Sequence, residues 1–155
     1  MGRARKQRSK RGPSAAARRP KPAHTPRPTA AETLRLELAR QITGLPVAAA
    51  LETLAAASAP GAPLPREVAR AFLKSRRDKT AALALAWARE QVRLALEETL
   101  AAAPKPRSAR IEAGADTLAW LLLAACESLA HEPPSAVAER LSAILALSGH
   151  AAATG

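Results

Sequence analysis

The chain has 155 residues, about one domain's length, and a net charge of +11 from 24 Lys and Arg against 13 Asp and Glu. With 41 alanines, no tyrosine, and Phe72, Trp87 and Trp120 as its whole aromatic complement, it favours closely approached helices and argues against a sheet, which needs β-branched and aromatic runs. The single cysteine, Cys126, excludes an intrachain disulfide, and no charge-free stretch approaches the roughly 20 apolar residues that span a bilayer.

The charge is unevenly placed. Residues 1–28 carry ten cations and no acid, which leaves fourteen cations against thirteen acids elsewhere. Proline-rich and with little to bury, this segment reads as a disordered basic arm. Arg3, Arg5, Lys6, Arg8, Lys10, Arg11, Arg18, Arg19 and Lys21 are its candidate nucleic-acid contacts: they would neutralise phosphates with salt-sensitive, sequence-indifferent affinity. A merely solubilising extension is the other reading of the same residues. The basic start lacks the apolar segment of a signal peptide, so the expected location is the cytoplasm, nucleoid-associated if the arm engages DNA. Residues 29–150 read as one helical domain and 151–155 as a disordered end.

Order is expected from Thr29, which has capping-box spacing to Glu32. Leu34, Leu38 and Ile42 then line a helix face until Gly44 and Pro46 stop it, and a short helix from Pro46 to about Ala57 turns Val47, Leu51 and Leu54 inward. Residues 58–65, SAPGAPLP, read as a loop. Pro65 opens the next helix, with Val68, Phe72 and Leu73 expected inside and Arg66, Arg70, Lys74 and Arg77 forming a solvated cationic row. Near Ser75 to Thr80 the helix either bends or restarts, with Asp78 the candidate cap.

From Thr80 to Ala103 the helical signal has two apolar faces, Leu85, Val92, Leu96 and Leu100 on one and Leu83, Trp87 and Leu94 on another. Such a helix is expected to pack between neighbours. Beyond Pro104 and Pro106, Ser108 is the candidate cap of a helix whose seam runs Ile111, Ala115, Leu118, Leu122, Ala125 and Leu129. It holds no polar side chain between Leu118 and Cys126, so cover on several sides is expected. After Pro133 and Pro134, Ser135 is the candidate cap of a last helix with Val137, Leu141, Ile144 and Leu145 on one face. The fold class is therefore all-α, a bundle of about five to six helices.

Chemistry is sparse. His24, His131 and His150 have no second ligand at metal-binding spacing, and a histidine beside a helix end suits the carbonyl terminus. Cys126 lies in an apolar run without an activating base, where a thiol acts as a small hydrophobe. Glu97 and Glu98 diverge by about 100° on a helix and form no facing acid pair. No glycine-rich loop cradles a phosphate. No catalytic, metal or cofactor residue is expected, and the chain reads as a non-enzyme. Residues 38–51 loosely follow a helix-turn-helix pattern, but the would-be recognition helix offers no Arg, Lys, Asn or Gln to base edges.

The order from Pro65 onward, PREVARAFLKSRRDKTAALALAWAREQVRLALEETL, a Pro-containing link, then IEAGADTLAWLLLAACESLAHEPPSAVAERLSAILALSG, resembles the C-terminal regulatory domain of TetR/AcrR-type transcriptional regulators. That resemblance covers about two thirds of the chain and rests on helix order and hydrophobic rhythm. It implies an effector pocket walled by Phe72, Leu83, Trp87, Leu94 and Trp120, for which plain core packing is the alternative. It also implies a homodimer through segments 111–130 and 136–148, with Leu118, Leu122, Leu129, Leu141, Ile144 and Leu145 at the interface. Residues 1–45 hold no counterpart of the family's three-helix DNA-binding domain. The resulting expectation is a dimeric TetR-like regulatory domain, taking a small apolar ligand and touching nucleic acid only through its arm. The alternatives are a small basic nucleic-acid-associated structural protein and a helical adaptor for another protein.

Overall fold

The structure, a computed structural model, describes residues 27–104 and 113–149. Its elements are six α-helices, α1 (Ala30–Ile42), α2 (Val47–Ser58), α3 (Pro63–Ser75), α4 (Lys79–Ala102), α5 (Ala115–Ser128) and α6 (Val137–Ser148), with short 3-10 turns at Leu129–His131 and Pro134–Ala136. Among the described residues there is no strand. The fold is all-α, as composition and periodicity require.

Local chemistry sets the helix ends. Thr29 begins α1 through a complete capping box: its hydroxyl accepts from the Glu32 amide at 3.3 Å, and its own amide donates to the Glu32 carboxylate at 3.3 Å. Gly44 then takes φ +77°, a left-handed turn that a side chain would strain, and Pro46 precedes α2. The α3–α4 junction is a restart. α3 stops at Ser75, and the Asp78 carboxylate accepts from the amides of Thr80 at 2.9 Å and Ala81 at 3.1 Å to begin α4.

Three expected boundaries move, the first being that α5 starts at Ala115 with Gly114, not Ser108, at its N-cap position. The loop before α3 is shorter than residues 58–65, because both Pro63 and Pro65 fit the first helical turn, where no amide hydrogen is needed. Ser135 caps nothing; it lies in a 3-10 turn, and α6 starts two residues later. Ser108 and Ile111, expected in the opening of α5, lie outside the described residues, as do His24, His150 and residues 151–155.

The main core is built from Leu38 and Ile42 of α1, Leu51 and Leu54 of α2, Val92 and Leu96 of α4, Leu122, Leu123 and Cys126 of α5, and Ile144 and Leu145 of α6. α4 is the axial helix: it runs along α1 on one side and α5 on another, while α2 and α6 close the remaining sides of that core. α3 lies outside this core, against α1 and α4, and joins a small second cluster of Ala31, Ala71 and Leu85 with Val68 alongside.

Candidate functional site

Among the described residues a groove of about 360 Å³ lies under α3, bounded by α1, the end of α2 at Ser58, α4, α5 and the turn at Leu129–His131. Its walls differ in kind. One is apolar, with Leu64, Val68 and Phe72 of α3; the other is polar, with Arg35 of α1, Arg89 of α4, Glu127 of α5 and His131. Glu127 ties the polar wall together. Arg89 donates to both of its carboxylate oxygens, the shortest bond being 2.7 Å, whereas Arg35 reaches it only at 3.5 Å and donates more closely to the Leu85 carbonyl, at 3.0 Å.

Arg35 is the unusual member, because its side chain is only 9% exposed. Burial pulls its guanidinium below the usual arginine value; the Glu127 charge opposes that drop and the Arg89 charge adds to it. Its place was legible in principle, since Arg35 shares a face with Ala31, Leu38, Ala39 and Ile42, all buried. A cation at an inward position is the signal that reading the apolar stripe alone passes over.

The residues expected to wall a pocket do not converge. Phe72, Leu83, Trp87, Leu94 and Trp120 are between 43% and 71% exposed. Phe72 alone among them lines the groove under α3, while Leu94 borders a shallow depression between α1 and α4. Neither a closed pocket nor core packing describes these side chains. Phe72 and Leu73 were expected inside, but α3 turns Ala71 and Ser75 inward instead, because close approach to α1 and α4 admits only small residues there.

The residues expected between two subunits are already occupied within one. Leu122, Leu129, Ile144 and Leu145 are at most 8% exposed in the single chain, and Leu118 and Leu141 are half-buried against the same core. The nucleic-acid candidates Arg3, Arg5, Lys6, Arg8, Lys10, Arg11, Arg18, Arg19 and Lys21 lie outside the described residues.

Cys126 is fully buried, and burial, reinforced by the neighbouring Glu127 charge, pushes its thiol up to about 12. On the flank of α4, Arg93 bridges Glu90 at 2.7 Å and Glu97 at 2.8 Å; its hydrogen bond holds the Glu90 carboxyl below the usual range. Among the described residues no three His, Cys, Asp or Glu side chains are grouped to hold a metal ion, and no helix is long and apolar enough to cross a membrane. Comparison with protein-family models, with curated proteins and with solved structures finds no match to this chain.

Proposed function

We propose that this chain is a homodimeric, TetR-like regulatory module in which a second copy covers the outer face of α4, and in which residues 1–28 contact nucleic acid without reading its sequence. The carrying observation is the stripe of Leu83, Trp87 and Leu94, spaced i, i+4 and i+11 on the side of α4 opposite Leu85, Val92 and Leu96 and left exposed by its own chain. Large apolar side chains aligned on one exposed face mark an interaction surface.

Charge argues for a second copy as the occupant. Arg76, Arg77 and Lys79 stand at the N-terminal end of α4, Glu97 and Glu98 near its C-terminal end. A two-fold antiparallel pairing of α4 with itself sets Leu83 against Leu94 and the basic end against the acidic one. Sedimentation at micromolar concentration tests this: a dimer is expected, and Trp87→Glu is expected to give a folded monomer. A wild-type monomer throughout that range removes the dimer.

A second reading, a nucleic-acid-associated protein whose body only dimerises, is favoured by the α3–α4 junction. Lys74, Arg76, Arg77 and Lys79 are exposed there and make no ion pair among the described residues. Ala31, near the start of α1, packs against Ala71 before this cationic elbow and Leu85 after it. Binding to duplex DNA is then expected to weaken steeply with salt and to lose part of that slope when Arg76 and Arg77 become Glu. No binding at low salt sinks the nucleic-acid contact in both readings.

A further inference from the structure

The groove under α3 carries an unbalanced charge. Two guanidiniums, Arg35 and Arg89, face one carboxylate, and Arg89 already donates to both oxygens of that carboxylate. Arg35 holds the Leu85 carbonyl with one N–H and reaches Glu127 distantly with another. A guanidinium carries five donors, so its Nε–H and one N–H on each terminal nitrogen meet no protein acceptor among the described residues. For a side chain nine-tenths buried, unfilled donors and excess charge are costly, and both are relieved by an anion.

The opposite wall asks for something different. Leu64 and Val68 are half-buried, and Phe72, which also lines the groove, is 61% exposed. An occupant that satisfies both walls has an anionic head and an apolar tail. The volume, about 360 Å³, falls within the range of small-ligand pockets.

We propose that this groove binds a small amphiphilic monocarboxylate, its head on Arg35 and its tail along Leu64, Val68 and Phe72. A planar carboxylate matches the guanidinium fork and neutralises a single excess cation. A dianionic phosphate head would set its second charge against Glu127. The proposal gives a chemical class to the ligand-binding part of the regulatory reading and rests on that reading for its biological meaning. The binding itself is measured separately from dimerisation and from nucleic-acid contact.

Calorimetric titration of the full chain with octanoate is the test, with octan-1-ol and octylamine as matched controls. Octanoate is expected to bind about tenfold or more tighter than either control. Ala69→Trp changes an exposed α3 position that lines the groove and is expected to abolish octanoate binding while leaving thermal melting unchanged. Phe72→Ala is expected to weaken it several-fold. Arg35→Met is expected to remove it as well; because Arg35 also links α1 to α4 and α5, its fold is checked by circular dichroism, and the Ala69 variant carries the test if it unfolds. Trp87→Glu, on the outer face of α4, is expected to keep octanoate binding whatever it does to the oligomer. No octanoate binding at millimolar concentration, equal binding of octylamine, or unchanged binding in Ala69→Trp overturns the site. Loss of the dimer alone leaves it standing.

Discussion

The inner and outer faces of α4 are made of the same residue types and meet opposite fates. Val92 and Leu96 are sealed in the main core and Leu85 against α1 and α3, while Leu83, Trp87 and Leu94, half a turn away, face water. α5 repeats the contrast, with Leu122 and Leu123 buried and Trp120 and Leu121 exposed. Hydrophobic periodicity states which faces call for cover; the number of helices available states how many of them one chain can cover. The other four described helices close around one side of α4 and α5, and the surplus apolar surface falls on the other side.

The contrast can be broken most forcefully at α5. Leu122→Glu, the substitution that would split a dimer if Leu122 lay between subunits, is instead expected to abolish folding, because it places an unpaired charge at a position 2% exposed. Its gentler inner-face equivalent, Leu96→Ala, is expected to cost about 2–5 kcal/mol in urea unfolding of the wild-type and variant chains. Cys126 reports the same interior chemically. With its thiol pushed up to about 12 and no exposed surface, its labelling by a disulfide reagent at pH 8 is expected to follow global unfolding and to accelerate in Leu96→Ala. Labelling of the native chain at the free-thiol rate would refute the sealed face.

On the outer face the effects shrink. Leu83→Ala is expected to change the stability of the dissociated chain by no more than about 0.5 kcal/mol, while weakening self-association in sedimentation. The smallest effect is electrostatic. The Glu90 carboxyl is lowered in the folded chain by its hydrogen bond to Arg93, so it adds stability above the ordinary glutamate value of about 4.3 and loses it as pH falls through the folded value. Glu90→Gln is expected to flatten slightly the acid limb of a urea-midpoint profile; an unaltered limb would mean that the part-buried Glu90–Arg93 contact contributes nothing.

Much of this architecture was legible in the sequence. Thr29 announced the start of α1, and Asp78 stood as a candidate cap where bend and restart were both open, because a short polar side chain before a helix can satisfy its free amides. The prolines located the breaks, though not to the residue, since proline is equally at home in a loop and in a first helical turn. The choice between the two faces of α4 was not legible. Both are apolar with helical spacing, and what separates them is which neighbours arrive, a tertiary fact. The groove escaped for a related reason: aromatic residues were expected to mark it, whereas its chemistry lies in Arg35, Arg89 and Glu127, drawn from three helices and brought together only by packing.

The loose seating of α3 has a consequence for time as well as space. This helix buries only Ala71 and Ser75, while every other α-helix contributes at least three side chains to the interior. It can therefore lift away at a fraction of the free energy that unfolds the whole chain, and its amides should be the earliest helical ones to exchange with deuterium. The apolar wall of the groove thus rides on the described helix with the fewest buried side chains, the one expected to open first.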